Sequence, residues 1–328
     1  MLPSRTPFGL FLASTTGSSM PTQPLPPLHP WRPADAPVNA MALDAAMAAV
    51  LGRVIQAGGQ PEFFDALLDF LNGVCAMHSG GAMVFSRHQR PQLLCYRRWA
   101  RARSVQAQDY FSGPYILDPN YQRFLAGCDS GVYWLRDVAP DEFYNSEFYR
   151  LFYSQVGLSD YVDILWRIDA DTALSVFLER DTSGAGFQPE NIAALNAVLP
   201  IVFSSVEKHH GQAAWVPVPA SREQSEEDQL THRKVQSSIE NFGRSLLTKR
   251  EREVLFYMLS GYSAALTATR MQSTEGTIKI HRKSIHRKLE IGSQAELFAL
   301  FIRCIPFATP DLQSDPLDAY QSVKATRA

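Results

Sequence analysis

The sequence predicts an α+β domain, an antiparallel sheet flanked by helices, followed by a small all-α domain of four helices. Three observations carry this. Residues 161–169 alternate strictly, with Val162, Ile164, Trp166 and Ile168 on one face and Asp163, Arg167 and Asp169 on the other, which is the signature of a half-buried strand. Asp169-Ala170-Asp171 then supplies a turn, and Ala173–Glu179 returns as a partner strand. After Gly243 the chain changes character and repeats helix-start signals at short intervals.

The elements follow in order. Residues 1–40 hold nine of the 21 prolines, and Pro24-Leu25-Pro26-Pro27 can continue neither helix nor central strand, so a disordered Pro-rich tail is expected. Arg5 ahead of Phe8–Ala13 is a thin version of a secretory leader, interrupted by Gly9, and the expectation is a cytoplasmic chain. Residues 41–210 form the α+β domain. Ala42–Ile55 is an Ala-rich helix, and Pro61 opens a second that carries Phe63, Phe64, Leu67, Leu68 and Leu71 on one side. Gly80-Gly81 leads into a strand over Ala82–Phe85, with Gln92–Arg97 as its hairpin partner. Asn145–Val156 reads as a helix, and Pro189 opens a long one with Ile192, Leu195, Leu199, Val202 and Val206 inward. Residues 211–243 are a linker in which Leu230–Phe242 has helical spacing; 244–305 are the all-α domain, and 306–328 a flexible tail.

Composition narrows the function. Of 328 residues, 45% are hydrophobic and 20% charged, as in ordinary globular proteins, and no apolar run approaches the roughly 18 residues of a spanning helix. Cys75, Cys95, Cys128 and Cys304 are far apart and lack metal-ligand spacing, so neither a disulfide framework nor a metal site is predicted. The G-x-S-x-G, H-E-x-x-H and post-strand G-x-G-x-x-G patterns are missing, which argues against an enzyme and for no cofactor.

The net charge of −2 hides an asymmetry. Residues 244–303 hold 11 Lys+Arg against 5 Asp+Glu, or +6, which leaves −8 for the rest. Thr248 and Glu251 make a capping box before Val254, Leu255, Met258 and Leu259, and Gly261 ends that helix. Ser263 caps a short Ala-rich second helix, and Thr274 caps a third with Ile278, Ile285 and Leu289 inward. A second box, Ser293-Gln294-Ala295-Glu296, starts the fourth. The third helix carries Lys279, Arg282, Lys283, His286 and Arg287 at i, i+3, i+4, i+7 and i+8, so the cations share one side. A short helix, a tight turn and a basic helix make a helix-turn-helix, whose second member enters the major groove of double-stranded DNA.

Leu247–Leu255, Gly261-Tyr262-Ser263, Glu275–His281 and Lys288-Leu289 together resemble the LuxR-type (LuxR/FixJ, GerE) helix-turn-helix. The resemblance implies base contacts by Lys279, Ile280 and Lys283. It also implies phosphate contacts by Thr277, His281, Arg282 and Arg287, and a homodimer interface on the last helix at Leu297, Leu300, Phe301 and Cys304. The chain departs from the family pattern at Leu266 and Thr267 in the second helix and at Ser273 before the third.

Such modules usually carry an input domain. The element order is wrong for a phosphoacceptor receiver and no G-x-x-x-x-G-K-[ST] loop is present. Tyr110–Pro119 followed by Trp134 and Leu174-Ser175 is similar to the acyl-homoserine-lactone-binding domains, which implies autoinducer-binding or GAF-like sensing of a small molecule. Tyr110, Tyr115, Asp118, Trp134 and Ser175 are then the candidate ligand residues, with Asp118 accepting an amide N–H and the aromatics walling an apolar chamber. The expected protein is a dimeric DNA-binding regulator under small-molecule control, with RNA polymerase as a further partner and no membrane contact. The alternative is an inhibitory partner that heterodimerises with a related regulator and binds DNA weakly.

Overall fold

The computed structural model describes residues 44–99, 110–155, 157–212, 222–310 and 314–327. The Pro-rich segment 1–40 therefore lies outside the described residues. Helices α1 (Ala45–Gln56) and α2 (Phe63–Val74) lead into strands β1 (Ser79–Ser86) and β2 (Gln92–Arg98). A 3₁₀ turn (Pro114–Leu117), α3 (Pro119–Leu125) and β3 (Gly131–Trp134) follow. Next come β4 (Leu158–Arg167), β5 (Thr172–Asp181) and α4 (Pro189–Gln212). The five strands form one antiparallel sheet in the order β2-β1-β5-β4-β3. The α+β class is as the sequence predicts, and β3 is an added edge strand.

Both faces of the sheet are covered. One carries Ala82, Val132, Val162, Ile164, Leu174 and Val176 against α1, α2 and α4. By length and apolar composition α4 could cross a membrane, yet Ile192, Leu195, Val198, Val202 and Val206 form a buried row on the sheet, as in a core helix. The opposite face carries Met83, Phe85, Tyr161, Leu165 and Phe177 and meets a layer of rings that includes Tyr121, Phe124, Phe143, Phe148 and Tyr153. The alternation in 161–169 is thus real, but its polar side is mixed: Asp169 is exposed and Arg167 half-buried, whereas Asp163 faces the second core. Asp163 is 1% exposed.

The stretch 145–156 is a distorted helix. It runs through a 3₁₀ turn (Phe143–Asn145), one α turn (Glu147–Tyr149, capped by Ser146) and a π turn (Arg150–Ser154). The π turn is where Tyr153 points into the core.

The linker and tail are more ordered than expected. Helix α5 (Arg222–Asn241) braces both halves of the molecule. Its Asp228 pairs with Arg90 at 2.8 Å, and its buried His232 bridges the Tyr115 hydroxyl (2.8 Å) and the Arg87 carbonyl (2.9 Å). Burial pushes His232 down to about 4, so it is neutral and serves as a structural bridge. The segment after 305, read as flexible, contains helix α10 (Pro316–Arg327) with Leu317 fully buried. The Asp315 carboxylate fixes it by accepting from the Gly243, Ser245 and Leu317 N–H groups at 2.9–3.0 Å.

The all-α domain forms from the predicted caps: α6 (Lys249–Leu259), α7 (Ala264–Arg270), α8 (Glu275–Lys288) and α9 (Gln294–Cys304), capped by Thr248, Ser263, Thr274 and Ser293. Glu251 is the third helical residue of α6. Its carboxylate accepts from the Thr248 N–H and also from Lys288 Nζ at 2.7 Å, tying α6 to the end of α8. Burial works against its charge, but the donors Lys288, Ser284 and Thr248 hold the carboxyl down to about 2. Thr248→Ala removes one side of this box and should cost about 1 kcal/mol, read as a shifted urea midpoint with unchanged slope.

Candidate nucleic-acid interface and ligand cavity

Helix α8 presents a divided face. Ile280 is 70% exposed, and Thr277, Lys279, Lys283 and Arg287 are exposed beside it, with Lys279 held at 2.7 Å by Glu275 one turn earlier. His281 is partly exposed. Ile278 and Ile285 are fully buried on the inner side. Arg282 and His286, expected on the same cationic stripe, turn inward instead. The Nε of Arg282 and Nε2 of His286 are buried without a hydrogen-bond partner.

Arg282 donates to the Tyr262 carbonyl, and the carboxylates of Asp141 and Glu142 act on it through space. Its expected role at a phosphate is therefore not available in this arrangement. Beside Arg282 lies a clasp between the domains, which brings Asp141 and Glu142 near its guanidinium. The Glu142 N–H donates to the Gly261 carbonyl (3.0 Å), and the Ser263 N–H donates to Asp141 Oδ1 (2.8 Å). Gly261 is left-handed (φ +84°), and a Cβ there would stand 3.0 Å from Phe143 Cα, so glycine serves both the helix end and the close approach.

The residues expected at a dimer interface are likewise occupied. Leu297, Phe301 and Cys304 are 0% exposed and Leu300 is half-buried. Phe301 packs edge-on against Phe242 at 5.5 Å, and α10, the turn at Glu147–Tyr149 and α6 lie along α9. The chain's own elements cover this face, so it is not open to a second copy in this arrangement.

On the second face of the sheet lies a cavity of about 130 Å³. Met83, Leu93 and Tyr96 from the hairpin, Tyr161 and Leu158 from β4, and Phe177 and Glu179 from β5 form one side. Tyr110, Phe111, Asp118, Phe152 and Tyr153 form the other. The pairing Tyr161↔Glu179 and Asp163↔Phe177 places these four side chains on the same face of the sheet. Gly81 allows this floor to form: a Cβ there would lie 2.5 Å from the Phe177 ring.

Of the five predicted ligand residues, the structure brings Tyr110 and Asp118 together at this cavity. Asp118 caps α3 by accepting from the Asn120 N–H (2.7 Å) and also accepts from the Tyr110 (3.1 Å) and Tyr153 (3.3 Å) hydroxyls. Burial raises its carboxyl despite these donors. The other three lie outside the lining. Tyr115 is fully buried and bonds His232 on α5. Trp134 sits on the opposite face of the sheet, where its Nε1–H donates to Asp160 (2.9 Å) under a stacked Arg136. Ser175 is spent on Asp163, to which its hydroxyl donates at 2.7 Å. Sequence reasoning missed Glu179, Tyr96, Tyr153, Tyr161 and Phe177. For Tyr161, Phe177 and Glu179 the period-2 pattern of β4 and β5 held the signal, once both faces are known to be covered.

Among the described residues no cluster of His, Cys, Asp or Glu could hold a metal ion, and all four cysteines are free thiols.

Residues 245–301 match the model of the luxR family of bacterial regulatory proteins. A candidate HTH-type transcriptional regulator in the exeN 3′ region of Aeromonas salmonicida is 29% identical over 185 residues, 56% of this chain and 93% of that protein. The response regulator protein TodT of Pseudomonas putida is 41% identical over 51 residues, which is 16% of this chain and 22% of TodT. Among solved structures, the VqsR LBD domain of Pseudomonas aeruginosa aligns with 52% of this chain and 99% of its own at 22% identity and a TM-score of 0.46. Escherichia coli SdiA aligns with 82% of this chain and 98% of its own at 13% identity and a TM-score of 0.37.

Proposed function

We propose that this chain, whose residues 245–301 form a luxR-family helix-turn-helix domain, is a cytoplasmic, sequence-specific transcription regulator. It reads double-stranded DNA with α8 and responds to a small molecule in the cavity. The observation that carries the reading is the exposed row Lys279, Ile280, Lys283 and Arg287 on the second helix of that motif, in a segment of local charge +6. The working form is a homodimer, since one such module reads only a half-site, and RNA polymerase is the partner through which bound regulator acts. In this reading α+β residues 44–212 sense, α5 braces, and 244–305 bind DNA. No catalytic group is assigned.

Control needs a ligand that favours one domain arrangement over another. The route between cavity and clasp is short. Tyr153 lines the cavity and meets Phe143 edge-on at 5.6 Å, and Phe143 is the residue against which Gly261 packs. Filling the cavity would bear on the loop that carries Asp141 and Glu142, and opening that loop would take these carboxylates away from Arg282.

The inhibitory-partner reading rests on the departures at Leu266, Thr267 and Ser273. Here α7 is well formed, and Thr267 is fully buried with its hydroxyl on the Ser263 carbonyl at 2.6 Å, which favours a competent DNA-binding motif. Selection of bound duplexes from a random pool by the full chain, at low salt, tests the choice. Enrichment of one motif, with half-sites about one helical turn apart, is expected. Failure to retain any duplex at low salt overturns the reading, because phosphate contacts alone give measurable binding there.

A further inference from the structure

The polar inventory of the cavity specifies the chemistry of its occupant. Glu179 is 8% exposed, and among the described residues only Ser79 (2.6 Å) and Tyr96 (3.0 Å) hydrogen-bond it, both to Oε2. Among the described residues no hydrogen bond reaches its Oε1. The exposed Arg98 acts on it through space and favours its charge, while burial raises its carboxyl. Asp118, by contrast, has donors on both oxygens. The tyrosine hydroxyls of Tyr96, Tyr110 and Tyr153 already give their protons to the two carboxylates, which leaves Tyr161 as the lining hydroxyl free to donate among the described residues. The lining is therefore rich in acceptors and poor in donors.

Around these acceptors the rings are contiguous. Tyr96 stacks on Phe177 (6.2 Å), Phe177 on Tyr161 (5.9 Å, 9° between planes), and Tyr161 meets Tyr153 edge-on (6.2 Å). Ring faces beside a buried carboxylate attract cations and repel anions. The space is small: a cavity of roughly 150 Å³ holds one benzene, and this one measures about 130 Å³.

We propose that the cavity takes a small organic cation, a primary amine on an aromatic or short alkyl body, with its ammonium on Glu179 and its body against Phe177, Tyr161 and Tyr153. Three ammonium N–H donors suit Glu179 Oε1 and the tyrosine oxygens, where a carbonyl or carboxylate ligand would meet acceptors. The proposal rests on the reading of this cavity as the ligand site.

Calorimetric titration of the full chain with phenethylamine, 2-phenylethanol and 3-phenylpropionate separates the two. The expected order is amine over alcohol by roughly tenfold or more, with no binding of the acid. Glu179→Gln keeps an acceptor for Ser79 and Tyr96. It should weaken the amine by a similar factor and leave the alcohol within about twofold. Binding of the alcohol as tightly as the amine overturns the cation assignment and leaves the ligand site standing. Binding of none of the three overturns both. The comparison of probes on the unaltered chain stands even if the variant misfolds.

Discussion

Replacing Lys279 and Lys283 together by alanine should weaken the full chain's hold on its preferred duplex by roughly a hundredfold or more. Each side chain that reaches a base edge is worth about 1–3 kcal/mol of discrimination, and the two stand one turn apart on an exposed face. The double variant separates two kinds of contact. If both lysines read bases, affinity for the preferred site falls while random duplex is bound almost as before. If both neutralise phosphates, binding falls evenly across sequences and the salt slope shrinks by about two. Arg303→Ala, an exposed cation on α9, is the control for a bulk charge effect and should leave binding near the parent. Unchanged affinity and sequence preference in the double variant would remove α8 as the reading helix. Neither lysine is buried, so the fold is expected to survive the change.

The legible and illegible parts of this chain differ in physical kind. Local signals were sufficient for the all-α domain: Thr248, Ser263, Thr274 and Ser293 each accept a backbone N–H at the predicted helix start. The β4–β5 hairpin follows from alternation and the Asp169–Asp171 turn in the same way. What covers a face is not local. Asp163 reads as solvent-facing because it alternates with apolar residues, and only the aromatic layer brought over from Tyr115–Tyr153 turns that face into a second core. Tertiary cover likewise buries Leu297, Phe301 and Cys304, which the family resemblance assigns to a dimer interface, and separates Arg282 from Lys279. Helix α10 had a readable start, Asp315-Pro316, with Leu317, Tyr320 and Val323 at helical spacing. Trp134 and Ser175 lie away from the cavity for another reason: polar atoms on buried side chains are satisfied by the nearest partner, here Asp160 and Asp163.

Asp163→Asn should stabilise the protein at neutral pH and lose that advantage as the pH falls. Burial pushes the Asp163 carboxyl from the ordinary 3.8 up to about 8, with Ser175 donating to it, Asp118 raising it and Arg123 opposing. The sign follows from proton counts. Between those two values the unfolded chain has released this proton and the folded chain keeps it, so stability falls as pH rises across the window. Below it both states are protonated and the site contributes no slope. Asparagine is neutral throughout and can still accept from Ser175, so the variant lacks this penalty. At pH 7 the window spans about three units, which sets a ceiling of about 4 kcal/mol. The amide's extra N–H, which needs an acceptor in a buried site, lowers the gain below that ceiling. Asp118 and Glu179 are raised in the same direction and steepen the parent's own curve, so the informative quantity is the difference between variant and parent. Urea unfolding near pH 5 and pH 7.5 measures it, and the gap should be wider at the higher pH. A variant that is weaker by the same amount at both would mean that Asp163 is ionised in the fold, held by a cation or water.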